Sequence, residues 1–377
     1  MAYKSVLLLS HHNEVEGMAD QLYDYLIKHF AKVIHISHPL NPSSSVKSFV
    51  RVGKTRTKFK VPSLFQFFSE GLFMLLTLHK LKQTTSGYQL AICIDPLSYL
   101  HARIFKGILK INKLVYYNVD YSTQRYSNKL LDYVYQKINL YAFHNCEVFF
   151  YITSKFLKDL DPKGKYINKS FRIRHIHNTT KPGQVAKIPQ SIIFCGNISD
   201  GVDFSDLLSA LNKLRQEKVN FTFDIYGSGS KLKNLLILIK SLNLEKYIHL
   251  KGNISHHSLI DNVMPKYMIG VAPYIAKYKF SKKAANHPFA GEDLSTKIVE
   301  YIGSGLPVIS TKPFQEFKVI SKYKFGYLVS NSLSWYKALF TLLKNQRIRK
   351  IYSQNAYQYS RKYHEEEILT PIIKQIL

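Results

Sequence analysis

Acidic residues are scarce in this chain. Its 377 residues hold 25 Asp and Glu against 53 Lys and Arg, a formal net charge of +28. The deficit is even: 25 basic against 11 acidic residues in 1–180 and 28 against 14 in the rest, so there is no discrete basic tail. A field of that sign favours anionic partners (a lipid surface, a charged polymer, nucleic acid or a nucleotide), and a Lys-rich composition without any partner produces it equally. No nucleic-acid reader module is recognisable, and the aromatics do not interleave with the charge in a stacking pattern, so nucleic acid is not expected. Cysteine is scarce too. Cys93, Cys146 and Cys195 are odd in number and fit no metal or redox spacing, which points to a reducing cytosol. Long apolar runs are missing. The most apolar stretch, GLFMLLTL at 71–78, is far short of a bilayer span. The opening MAYKSVLLLSHH has too short an apolar run for a signal peptide and reads as a first strand. There is no short-period repeat and no convincing D-x-D or His/Asp cluster, so neither a solenoid nor a bound metal is expected.

What is present is an alternation of apolar strands and amphipathic helices. Hydrophobic residues make up 46 % of the chain, enough for two domains with a core each. Strands are expected at 5–10, 33–37, 90–95, 113–119 and 147–154, with a helix from Met18 to Phe30. HIHNTTKPGQVAKIPQ at 175–190 interrupts the pattern and reads as a linker. A second set follows at 191–196, 221–227, 247–252, 268–274 and 306–310, with a helix from Phe204 to Glu217. Such alternation argues for parallel sheets covered on both faces. The expectation is an α/β chain with a Rossmann-like domain at 1–180, a second at 181–350, a ligand cleft between them, and a last helix within 351–377 crossing back to the first.

The chemistry concentrates in GEDLSTKIVEYIGSGLPVIS, residues 291–310. Ser295 and Thr296 mark a helix start, and Gly303 and Gly305 mark its end. A helix start offers unpaired backbone N–H groups and a positive dipole end, which suit phosphate oxygens, and Lys297 adds a point charge. Glu292 and Glu300 stand on either side, and carboxylates accept hydrogen bonds from hydroxyls. Glu292 would hold a sugar ring and Glu300 a ribose, with a diphosphate between them. An ordinary strand–loop–helix with two solvated glutamates is the alternative.

The stretch resembles the E-x7-E segment of retaining GT-B glycosyltransferases, specifically glycosyltransferase family 4. The match is Glu292-x7-Glu300 with Tyr301 and Gly305-Leu306-Pro307-Val308-Ile309, and Lys297 to Glu300 resembles the K-x-x-E of the bacterial polysaccharide branch. The resemblance extends over nearly the whole chain. IIFCGNISDGVDFSDLL at 192–208 is similar to the first strand and loop of the family's second domain, where a basic pair usually meets the diphosphate. Here Asn197 stands for the arginine and Asp200-Gly201 for the lysine, so Lys231, in the glycine-rich turn with Gly229, is the substitute. HIHN at 175–178 resembles the family's inter-domain Asn segment, with Thr179 for the usual glycine. In the first half, SHHNEVEGMADQLYDYL at 10–26 resembles the family's first strand-to-helix loop. There Gly17 would allow close backbone approach, and His11 and His12 would contact acceptor. YYNVDYSTQRYSN at 116–128 supplies Asp120, near the point where the family often has a catalytic histidine, and Arg125 for an acceptor anion; a helix cap and a solvated arginine are the bland reading of that pair.

The resemblance implies the GT-B fold and transfer of a sugar from a nucleotide-sugar donor to a saccharide, glycolipid or surface-polysaccharide acceptor, with retention and without a metal. Catalytic roles would fall to Glu292 and Asp120. Donor binding would fall to Leu294, Ser295, Thr296, Lys297, Glu300, Lys231, Asn197, Gly229 and Gly17. A non-catalytic GT-B-like subunit binding an anionic polymer or a partner enzyme is the main alternative, and a sugar-nucleotide epimerase a lesser one. One further segment stands out. Residues 47–82 begin with six basic residues and no acid between Lys47 and Lys60, followed by an apolar helix. That is a peripheral site for an anionic membrane at the cytoplasmic face, or a solvated loop before a buried helix.

Overall fold

The computed structural model describes residues 3–12, 17–39, 47–61, 66–81, 87–119, 124–179, 185–275, 294–313 and 317–377. Packing divides them into two units. One runs to Arg174 and takes in Ile368–Leu377; the other starts at His175 and ends at Glu367.

Unit 1 is built on an eight-stranded sheet. Its strands are β1 (Tyr3–His12), β2 (Phe30–Pro39), β3 (Ser48–Val52), β4 (Thr55–Phe59), β5 (Tyr88–Ile94), β6 (Ile111–Asn118), β7 (Val148–Tyr151) and β8 (Ser170–Arg172). Their order is β4-β3-β2-β1-β5-β6-β7-β8. All pairs are parallel except β2–β3 and β3–β4. Both faces of the central strands are buried, which is why they read as continuous apolar runs. Strand order reverses between β1 and β5, so a crevice is expected at the carboxyl ends of those two strands.

Unit 2 carries six parallel strands: β9 (Ser191–Cys195), β10 (Thr222–Tyr226), β11 (Ile248–Gly252), β12 (Ile269–Ala272), β13 (Val308–Thr311) and β14 (Gly326–Val329). Their order, β11-β10-β9-β12-β13-β14, is that of a doubly wound Rossmann sheet, reversing between β9 and β12. One core lies under the Ser205–Gln216, Leu232–Ser241 and Ser332–Lys344 helices, the other under Thr296–Gly303 and the Gln346–Ser360 helix.

Four segments differ from expectation. The basic stretch at 48–59 is a β-hairpin, not a loop. Its turn uses Gly53 at φ 56°, Arg51 donates to Asp20 (3.2 Å) and Asp24 (3.1 Å), and Arg56 stacks 3.8 Å over Phe49. The following helix, Gln66–Lys80, is only half buried: Met74 and Leu78 enter the core while Leu72 and Leu76 are exposed. The last helix is two, Gln346–Ser360 and Glu365–Ile376, separated by a 3-10 turn at Arg361–Tyr363. The stretch read as a linker also begins with ordered core. His177 lies buried with Nε2 2.9 Å from the Ser360 carbonyl oxygen and Nδ1 2.6 Å from Thr179 Oγ1. Burial holds the His177 pKa down at about 4, so it stays neutral. Among the described residues no helix is long and apolar enough to cross a membrane.

Candidate functional site

In unit 2 the chemistry gathers at the carboxyl ends of β9, β10 and β12, beside the point where strand order reverses. The helix Thr296–Gly303 begins there with Ser295 as N-cap, its Oγ accepting from the Ile298 N–H at 3.5 Å and from the Tyr274 hydroxyl at 2.6 Å. Thr296 Oγ1 lies 3.0 Å from His175 Nδ1. The buried Tyr301 pins the helix to the sheet: its hydroxyl accepts from Cys195 N–H (2.9 Å) and donates to the Val271 carbonyl (3.2 Å). Its ring lies where a side chain on Gly270 would begin, 2.6 Å away. The helix ends as read from the sequence, with Gly305 in the left-handed region at φ 69°.

This anchoring fixes two charged side chains. Lys297 runs back under the loop after β9. Its Nζ sits 3.9 Å above the Phe194 ring and 3.1 Å from where a Gly196 side chain would begin. Burial lowers its pKa to about 8, against the opposing pull of Cys195 and Glu300. Glu300 is buried, and its Oε1 lies 2.8 Å from His256 Nε2. His256 follows the loop that leaves β11, on a turn capped by Ser255.

The loops after β9 and β10 interlock. Ile198 N–H donates to the Ser228 carbonyl (2.9 Å) and Lys231 N–H to the Ile198 carbonyl (3.0 Å). Gly196, Gly227 and Gly229 all have positive φ, and a side chain on Gly227 would run into the Gly196 carbonyl oxygen. Gly227→Ala is therefore expected to lower unit 2 stability by about 2–3 kcal/mol, read as a lower melting temperature; an unchanged melt would reject the close-approach argument.

The structure brings Ser295, Thr296, Lys297 and Glu300 onto one helix, and Asn197, Gly229 and Lys231 onto the adjoining loops. Asn197 is exposed, and Lys231 Nζ pairs with Asp200 at 2.9 Å on the surface. Leu294 is a core side chain, 1 % exposed, so only its backbone has access to a ligand. Glu292 and Asp120 lie outside the described residues.

In unit 1, His11 ends up inside. Its Nδ1 lies 2.9 Å from Asp95 Oδ2 and its Nε2 3.0 Å from Glu70 Oε2. Burial opposes protonation, but the Asp95 and Glu70 carboxylates outweigh it and raise the His11 pKa to about 10. Asp95 follows β5 at φ 101° and caps the helix Pro96–Ile104, accepting from Ser98 N–H at 2.9 Å. Both ring nitrogens of His11 are thus committed within the protein, which leaves no free nitrogen for the acceptor contact expected of it. His12 closes β1; only its backbone is described. Gly17 precedes the Met18–His29 helix at φ −142°, and nothing among the described residues lies within 4 Å of an added side chain there, so no close approach among them requires glycine. The Arg125 backbone N–H donates to Asp132 Oδ1 at 2.6 Å. Sequence reasoning missed His256, Asp95 and Glu70. Asp95-Pro96 is a readable helix start, but nothing in the sequence ties His256 to a glutamate 44 residues away.

Residues 178–359 match the family glycosyl transferases group 1. The whole chain has the GT-B fold: it superposes on Anabaena Alr3699/HepE in complex with UDP-glucose with a TM-score of 0.60 at 14 % identity, covering 99 % of both chains. Among curated relatives, the UDP-N-acetylglucosamine–peptide N-acetylglucosaminyltransferase GtfA subunit of Streptococcus pneumoniae is 25 % identical over 190 residues, 50 % of this chain and 34 % of that one. The N-acetylgalactosamine-N,N'-diacetylbacillosaminyl-diphospho-undecaprenol 4-alpha-N-acetylgalactosaminyltransferase of Campylobacter jejuni is 27 % identical over 189 residues, 49 % of this chain and 46 % of that one. The chain thus spans less than half the length of either relative. The group 1 segment contains all of the unit 2 loops and the Thr296–Gly303 helix described above.

Proposed function

We propose that this GT-B chain is a retaining glycosyltransferase that moves a sugar from a nucleotide-sugar donor to a saccharide or lipid-linked acceptor in the cytoplasm. One observation carries the reading most: Lys297, with no carboxylate of the described residues in hydrogen-bond contact, is held beside a helix N-terminus and under a glycine loop. That is a built site for a diphosphate. The ammonium and the helix dipole would take up the charge of the departing nucleoside diphosphate, and the reading needs no metal. Glu300, held by His256 through one oxygen, has its other oxygen for the ribose hydroxyls. Glu292 is proposed to hold the transferred sugar and Asp120 to orient the acceptor hydroxyl, both on the sequence resemblance. The Asp200–Lys231 pair favours a second reading, a non-catalytic subunit, because it occupies a cation the diphosphate would want. Donor hydrolysis by purified protein over UDP-, GDP- and dTDP-sugars separates the two; release of nucleoside diphosphate from none of them would favour the subunit.

The ribose assignment has its own test. Glu300→Ala should weaken UDP binding by about tenfold and erase any preference for UDP over 2′-deoxy-UDP. His256→Ala should lower that preference while retaining part of the affinity, because the carboxylate remains but is no longer aimed. Calorimetry showing the full preference in Glu300→Ala would remove Glu300 from the ribose.

A further inference from the structure

Three helices of unit 1 share one side of its sheet: Gln66–Lys80, Pro96–Ile104 and Lys129–Asn145. Met74 and Leu78, Tyr99 and Ala102, and Ala142 and Phe143 enter a common core with the β1, β5 and β6 side chains. The outward face of such helices is ordinarily polar. Here it is not. Along Lys129–Asn145 the outer residues Leu130, Val134, Ile138 and Tyr141 recur at helical spacing, with Leu130 74 % exposed. This helix therefore has two apolar faces and uses one. Its neighbour repeats the pattern with Leu100 and Ile104 and continues to Ile108, which is 59 % exposed just past the helix end. A shallow groove of about 410 Å³, walled by Leu100, Val134, Ile138 and Tyr141 with Lys137 and Tyr133, joins the two stripes.

The charges beside this face are nearly all of one sign. Arg103, Lys110, Lys129 and Lys137 are exposed. The acidic side chains on and beside these elements are already engaged with groups of the protein, Glu147 at the surface. Glu70 is buried on His11, Asp132 accepts from the Arg125 and Tyr126 backbone, and Glu147 is bonded to Lys106 and the Leu114 N–H. A second copy presenting this face would bring like charges together. An anionic surface that is apolar beneath its charge complements it: lysines extend toward headgroups while Leu, Ile and Val enter the acyl boundary, and Tyr133 and Tyr141 bridge the two.

We propose that this face of the Pro96–Ile104 and Lys129–Asn145 helices docks unit 1 on an anionic lipid bilayer. The assignment rests on no feature of the donor site, which lies in unit 2. It also moves the membrane contact from residues 47–60, where Arg51 and Arg56 are engaged within the protein, to the outer helices.

Flotation of the full chain with vesicles tests it. The parent is expected to float with equimolar phosphatidylcholine and phosphatidylglycerol at low salt, to be released by salt, and to stay behind with phosphatidylcholine alone. Leu130→Ser with Val134→Ser should cut the floated fraction by about fivefold or more, and Lys129→Glu with Lys137→Glu likewise, while Lys54→Glu with Lys58→Glu in the hairpin should change it less. Unchanged melting shows that the variants fold; Ile104→Ser with Ile108→Ser probes the same face should the first pair not. Absence of parent flotation, or equal flotation of all variants, overturns the proposal. So does a dimer in solution that Leu130→Ser with Val134→Ser makes monomeric, which would make the partner a second copy.

Discussion

Replacing His11 with Ala is expected to lower the stability of unit 1 by about 3–5 kcal/mol at pH 7, the usual result of removing one member of a buried ionic cluster. The imidazolium is the cation of a group whose two carboxylates, Glu70 and Asp95, are themselves turned inward. Burial alone would raise the Asp95 carboxyl pKa, but His11 and the Ser98 donors lower it, so without His11 a carboxylate stays buried with its partner gone. The pH dependence carries a sign that a packing defect would not. His11 has a folded pKa of about 10 against an ordinary 6.5, so its contribution is whole below pH 6.5 and is lost as pH rises through 10. Urea unfolding of the parent should therefore show a midpoint for unit 1 that declines between pH 7 and 10. His11→Gln, which can donate from only one amide nitrogen, should start lower and decline less. Parallel declines in the two proteins would show that His11 is not charged in the folded state.

His11 also illustrates what can be read from a sequence of this kind. That a loop lies after SVLLLS follows from the apolar run and the polar residues behind it. That its first histidine is sealed between Glu70 and Asp95 does not, because those partners are 59 and 84 residues away and meet it only once β1 and β5 pair. The parallel strands of unit 2 are legible for the reason that makes them stable: with both faces buried, β9, β10 and β12 are short apolar runs ending in glycine or proline. Shorter strands are not. β8 has three residues and β14 four, and neither is long enough to show a period. The β3–β4 hairpin has the alternation of a strand, Thr55-Arg56-Thr57-Lys58-Phe59 around Gly53, but as an edge strand with exposed basic side chains it lacks the apolar face that would mark it. The helix start at Ser295 is legible because a cap is a local device, written in adjacent residues. The hold of His256 on Glu300 is not local, and no spacing rule reaches it.

Lys297→Met is expected to weaken UDP binding by about 100-fold, or about 2.7 kcal/mol, while making unit 2 more stable. The two effects have one cause. A lysine with its ammonium withdrawn from water, facing aromatic rings at 3.9 Å and 5.1 Å and bonded to no carboxylate among the described residues, costs the empty protein free energy that a diphosphate would recover. Its pKa is lowered from 10.5 to about 8, so the penalty is present below pH 8 and disappears as pH rises through 10.5. Methionine has similar length and no charge. The variant should gain about 1–2 kcal/mol at pH 7, and the gain should close toward pH 10.5 as the parent lysine discharges. In the parent, UDP affinity should fall above pH 8 by roughly tenfold per pH unit, because the site must then take up a proton to bind. Thermal melts with and without UDP across that range read both quantities on one sample. Were Lys297→Met to bind UDP as the parent does, the cation would have no diphosphate to serve. Its burial would then need another explanation, and the donor site would have to be sought away from the Thr296–Gly303 helix.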